Sequence, residues 1–149
     1  MTYRILFVCL GNICRSPTAE AVTRAKAKAL GIDLTLDSAG TEGWHQGKPP
    51  YGPMSDVAKA AGYDMSTLRA RQVTPADRSE FDLIIAMDAQ NQRDLAHLEV
   101  PVARFTDYAP HTGAEYVPDP YYTRDFEGAL ALIETCADGL LTTLADKPR

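Results

Sequence analysis

Two residues near the start of this chain can cooperate on a phosphate: Cys9 and Arg15, at either end of the run Cys9-Leu10-Gly11-Asn12-Ile13-Cys14-Arg15-Ser16. A thiolate is a strong nucleophile. A guanidinium offers two parallel donors to two oxygens of one anion and keeps its charge at any working pH. If the run forms a loop, Arg15 closes a ring around an oxyanion and Cys9 enters the ring at its first position.

Such a loop needs rigid flanks, and both are visible. Ile5-Leu6-Phe7-Val8 is a continuous apolar run of the kind that fills the centre of a parallel sheet, so the loop starts at a strand's carboxyl end. After it, Ser16 can cap a helix, Pro17 suits the first helical position, and Ala19, Val22, Ala25 and Ala29 recur at helical spacing. The helix points its N-terminus into the loop, where its dipole and unpaired N–H groups favour a bound anion and, by the same field, a thiolate. Gly11 and Asn12 tolerate left-handed backbone angles, which would turn successive N–H groups to one side. Phosphate binding is therefore expected of Leu10, Gly11, Asn12, Ile13, Cys14 and Arg15.

The run Val8 to Pro17 resembles the signature of the low-molecular-weight protein tyrosine phosphatases, and Asp119-Pro120-Tyr121-Tyr122 resembles that family's general-acid loop. The likeness continues through Ser38-Ala39-Gly40-Thr41, Ala70-Arg71-Gln72 and Phe81 to Asp88, nearly the whole chain. It implies a phosphotyrosine phosphatase in which Cys9 attacks phosphorus and forms a phosphocysteine. Arg15 clamps the oxygens and Asp119 serves as acid and then base. Ser16 donates to the sulfur or simply caps the helix. Trp44, Tyr121 and Tyr122 would wall a slot for a phenyl ring, with Leu10 and Ile13 at its rim, and Asn12, Ser38 and Asp88 would support the loop. The family also implies a reversible Cys9–Cys14 disulfide that shields the nucleophile; packing is the other reading of Cys14. Cys136 lies on the apolar stripe of the last helix and reads as core.

Two departures from the family pattern stand out. Family members commonly carry a loop-bracing histidine where this chain has Leu68, so Asn12, Ser38 and Asp88 are expected to be braced by one another or by water, with a looser loop and lower turnover. Pro50-Tyr51-Gly52-Pro53-Met54 replaces a segment where the family often has an Asp and an Arg, leaving the support of the neighbouring wall loop open. Two other readings stay open: an arsenate reductase of the same fold, and a catalytically weak phosphopeptide-binding module. Residues 87–98 lack the relay cysteines such reductases place there.

The composition fits an ordinary globular chain: 149 residues, 45% hydrophobic and 23% charged. A net charge of -5 disfavours nucleic acid as a partner. Neither a leader nor a lipidation signal opens the chain, no stretch looks long enough to cross a bilayer, and the cysteine count is odd, so a cytoplasmic location is expected. His45, His97 and His111 are scattered and no metal site or cofactor is expected. The expected partner is a phosphotyrosine-bearing protein, with phosphate and other oxyanions taking the same site, no membrane, and the chain a monomer or weak homodimer.

Strands are expected at about 3–8, 34–38, 81–86 and 100–104, and helices at about 17–30, 54–61, 90–97 and 125–145, with loops over 40–53 and 106–122. Alternation of strands and helices predicts an α/β fold: one domain over 1–149, an open four-stranded parallel sheet with helices on both faces, and the phosphate-binding loop after the first strand.

Overall fold

The computed structural model describes residues 2–145. Strand β1 (Tyr3–Cys9) is the centre of the molecule, with Ile5, Leu6, Phe7 and Val8 all fully buried because helices cover both faces. Its neighbours are β2 (Leu34–Gly40) on one side and β3 (Leu83–Ala86) on the other, and β4 (Val102–Arg104) completes the sheet in the order β2-β1-β3-β4. All pairings are parallel: Cys9 stands opposite Gly40, Val8 opposite Ala86, and Ala86 opposite Arg104. The chain moves outward from β1 in one direction and then in the other. The carboxyl end of β1 is therefore the switch point of the sheet, the place where open α/β sheets hold ligands.

Helix α1 (Arg15–Leu30) returns the chain from β1 to β2 and ends at Gly31, whose φ of 70° closes a left-handed stop. Helices α2 (Gly52–Ala60), α3 (Asp77–Glu80), α4 (Ala89–Asp94), α5 (Pro120–Thr123) and α6 (Phe126–Ala145) follow. The alternation of β1 sorts the core into two layers. Ile5, Phe7 and Cys9 join Ala19, Val22, Ile133 and Cys136 on one face, and Leu6 and Val8 join Leu95 and Leu98 on the other.

The architecture matches the expectation, and several boundaries differ for local reasons. β3 begins at Leu83, because Asp82 turns its carboxylate onto the Arg4 N–H at 2.8 Å. β4 begins at Val102, after Pro101, which lacks a ladder donor. The helix expected at 90–97 splits into α4 and a 3₁₀ turn over Ala96–Leu98, α3 carries no strong signal, and the expected loop of 106–122 contains short 3₁₀ turns and α5. Helix α1 starts at Arg15, not Pro17. Ser16 is its second residue rather than its cap, since the hydroxyl is engaged elsewhere, and Pro17 is its third. The view that no stretch reaches membrane-spanning length is also corrected: α6, with 20 residues, is long and apolar enough by length and composition alone. Its apolar stripe, including Ile133, Cys136 and Leu140, is buried against the core.

Candidate active site

Residues 10–14 leave β1 and turn into α1. Asn12 is left-handed with φ 57°, as expected. Gly11 is not; its missing side chain makes room instead, because a Cβ there would lie 2.9 Å from the His45 ring. Gly40 serves the loop in the same way: a Cβ would meet the Leu10 carbonyl at 2.8 Å and the Asn12 nitrogen at 3.2 Å. The end of β2 therefore packs backbone against backbone on the loop, with the Thr41 N–H on the Cys9 carbonyl at 2.9 Å and the Glu42 N–H on the Leu10 carbonyl at 3.0 Å. Among the described residues, none accepts from the N–H groups of Gly11, Asn12, Ile13 or Cys14, which leaves four donors for an anion.

Arg15 closes this loop with a guanidinium only 3% exposed. Nη1 donates to Asp88 Oδ2 at 2.7 Å and to the Val117 carbonyl at 2.9 Å, Nη2 faces Asp119 Oδ2 at 3.4 Å, and the buried Nε has no partner. Burial works against this cation, but charge on Cys9 and Asp119 and the Asp88 hydrogen bond outweigh it and hold its pKa above the ordinary guanidinium value. Asp119 does two things at once. One carboxylate oxygen caps α5 by accepting the Tyr121 N–H at 3.1 Å, and the other faces Arg15. The Val117 N–H bonds the Met87 carbonyl at 2.9 Å, which fastens the acid turn to the end of β3.

Behind the loop runs a buried polar chain. The Cys9 sulfur lies 3.0 Å from Ser16 Oγ. Asn12 Nδ2 spends its two protons on Ser16 Oγ at 2.7 Å and Ser38 Oγ at 3.0 Å, and its Oδ1 accepts the Arg71 N–H at 3.0 Å. Ser16 Oγ, already accepting from Asn12, has one proton of its own, with the Cys9 sulfur at 3.0 Å and the Ala39 carbonyl at 3.4 Å as its acceptors, and a Cys9 thiolate is the stronger of the two. Ser38 Oγ passes its own proton to Glu20 Oε1 at 2.8 Å, and Glu20 pairs with Arg24 one turn on. Burial raises the Glu20 pKa, and the hydrogen bonds from Arg24 and Ser38 only partly oppose it.

This chain corrects one expectation. Asn12 and Ser38 do brace each other, but Asp88 is not their partner: its carboxylate holds Arg15 and caps α4 through the Asn91 N–H at 2.7 Å. Leu68 packs beside Met65, Ala21 and Ala58 instead, and Glu20 is the brace that sequence reasoning missed. A glutamate amid the apolar positions of α1 was its only signal.

The cleft over the loop is lined by Cys9, Leu10, Gly11, Ile13, Cys14, Trp44, His45, Asp119, Tyr121 and Tyr122. Trp44 and Tyr122 are exposed, and the Tyr121 and Tyr122 rings meet edge to face at 5.3 Å. His45 was not expected here; its place beside Trp44 in the sequence was the available hint. Cys9, Cys14 and Cys136 are all free thiols. Burial pushes the Cys14 thiol up, with the Asp119 and Cys9 charges adding to it, and burial pushes Cys136 up to about 12. Among the described residues, no group of three His, Cys, Asp or Glu side chains clusters as metal ligands would.

Fold and site together define a class: a doubly wound α/β protein whose first strand delivers a cysteine into an anion loop closed by an arginine. Comparison with known proteins narrows it, since the family model for low molecular weight phosphotyrosine protein phosphatase matches residues 4–149. The chain belongs to that family. It is 42% identical to the low molecular weight protein-tyrosine-phosphatase YfkJ of Bacillus subtilis over 94% of each chain. The crystal structure of YfkJ superposes with a TM-score of 0.95, covering 100% of this chain and 98% of the other at 39% identity. A protein tyrosine phosphatase from Entamoeba histolytica, crystallised with Hepes in its active site, matches at a TM-score of 0.91 and 33% identity, over 97% of this chain and 98% of that one.

Proposed function

We propose that this chain hydrolyses phosphotyrosine and small aryl phosphates through a phosphocysteine intermediate. The observation that carries the reading is that Cys9 and Asp119 line one cleft walled by aromatic rings, with the buried Arg15 fork behind it facing the Asp119 carboxyl at 3.4 Å.

In the first step the Cys9 thiolate attacks phosphorus in line, an S–P bond forms and the P–O bond to the phenol breaks. Arg15 and the loop N–H groups hold the equatorial oxygens, where the transition state concentrates charge. Asp119 gives its proton to the departing phenolate. In the second step Asp119, now a carboxylate, takes a proton from water as the oxygen attacks phosphorus. The S–P bond breaks, phosphate leaves, and Ser16 stabilises the returning thiolate. The first step needs an ionised Cys9 and a protonated Asp119. The B. subtilis and E. histolytica proteins named as tyrosine phosphatases support this substrate class. A net charge of -5 suits a phosphoprotein rather than a nucleic acid as the partner.

Hydrolysis of p-nitrophenyl phosphate tests the reading. Steady turnover is expected, abolished by Cys9→Ser and slowed about 10²-fold or more by Asp119→Ala, with a phosphocysteine adduct captured by acid quench and mass spectrometry. Turnover that survives Cys9→Ser would defeat it.

A further inference from the structure

The segment that departs from the family pattern at Tyr51 is not idle. Tyr51 sits between the phosphate loop and the acid turn and touches both. Its N–H donates to the Ile13 carbonyl at 2.8 Å, inside the loop. Its ring packs on Tyr121 with centroids 5.1 Å apart and an interplanar angle of 59°, and its hydroxyl accepts from Arg124 Nη1 at 3.0 Å. The Arg124 guanidinium also lies over the Tyr51 and Phe126 rings, 5.4 and 5.1 Å from their centroids, and Nη1 reaches the Tyr121 carbonyl at 3.4 Å.

Arg124 ends α5 in a left-handed conformation, φ 65°, with its N–H on the Pro120 carbonyl at 2.9 Å. Glycine or asparagine is the usual residue at such a stop, so an arginine here holds a strained backbone in exchange for what its side chain reaches. That reach spans 73 residues to Tyr51. Asp119 caps the other end of the same four-residue helix, so whatever fixes α5 also fixes the carboxyl group.

We propose that Tyr51 and Arg124 are positioning residues: a latch between the phosphate loop and α5 that sets where the Asp119 carboxyl stands relative to the Cys9 sulfur. The inference rests on the acid role assigned to Asp119 above. Loosening the latch withholds the proton from the leaving group while leaving the cradle and the thiolate in place. The penalty then grows with leaving-group basicity, because phenolate, the more basic leaving group, needs the proton more than p-nitrophenolate does.

The test compares kcat/KM for p-nitrophenyl phosphate and phenyl phosphate in Tyr51→Phe, Arg124→Gly and Arg124→Lys, with Asp119→Ala as reference and inhibition by inorganic phosphate as a gauge of the cradle. Tyr51→Phe removes only the hydroxyl, and glycine relieves the left-handed backbone, so both are expected to fold. In Arg124→Gly, phenyl phosphate should lose about tenfold and p-nitrophenyl phosphate less than about twofold, well inside the ~10²–10⁴ that a general acid contributes. Tyr51→Phe should show the same skew more weakly, Arg124→Lys should restore part of the loss, and phosphate inhibition should not move. Equal losses on both substrates, or none, would overturn the latch while leaving the phosphatase reading intact. If Asp119→Ala itself shows no leaving-group dependence, the acid assignment falls and the latch with it.

Discussion

Removing Glu20 tests whether the polar chain behind the loop transmits to the sulfur. In Glu20→Ala the hydroxyl of Ser38, itself only 4% exposed, loses its acceptor, which costs ~1–3 kcal/mol. One lost buried methylene adds ~0.8 kcal/mol. The ion pair with Arg24 adds little, since the arginine side chain is 49% exposed. Relief of a buried carboxylate offsets part of this, and a net loss of about 2–3 kcal/mol is expected, a fall in Tm of roughly 4–12 °C for a domain of this size. Asn12 then loses its outer brace, and a weakened hold on Ser16 and the thiolate of about 1 kcal/mol lowers kcat about fivefold. The pH dependence separates charge from shape. Because burial raises the Glu20 pKa above its ordinary 4.5, the folded state binds more protons than the unfolded state between 4.5 and that raised value, and stability falls as pH rises through this window. Glu20→Gln does not titrate, so the stability of the native chain relative to this variant should decline across the window and level off above it. Thermal melts from pH 4 to 8 beside p-nitrophenyl phosphate kinetics measure both. Parallel pH curves would refute the raised pKa, and a destabilised Glu20→Ala with unchanged kcat would refute the coupling through Asn12.

Three further expectations concern the same site. Asp88→Asn keeps the shape of the residue that holds Arg15 at 2.7 Å but removes its charge; inorganic phosphate should inhibit about fivefold more weakly, and an unchanged inhibition constant would count against the anchor. Leu68→His restores the residue common in the family beside Met65 and should raise kcat about twofold by stiffening the loop; a fall in turnover would show that Glu20 already does the whole task. Since burial raises the Cys14 and Cys136 thiol pKa values, the latter to about 12, both stay protonated at pH 8, and brief treatment with iodoacetate should label Cys9 alone by peptide mass spectrometry.

Much of the fold was legible because its signals are local. The apolar run of β1, the helical spacing after Pro17 and the glycine at 31 identify the central strand, the first helix and its end from residues adjacent in the chain. The order of strands and helices then restricts the sheet to a parallel, doubly wound form. The start of β3 shifted where a side chain far away in sequence took over a backbone group, as Asp82 does at Arg4.

The sequence by itself determined that an anion loop exists, that a cysteine and an arginine belong to it, and that an Asp-Pro-Tyr-Tyr turn is the acid candidate, since each is written in residues only a few positions apart. Tertiary structure alone decided what aims and braces them: Glu20 under Ser38, the Val117 carbonyl on Arg15 across 102 residues, Gly40 against the loop backbone, and Tyr51 against Arg124. The physical reason is that a buried polar atom must find a partner in space, and which partner it meets depends on how the strands register and the helices pack, not on spacing along the chain.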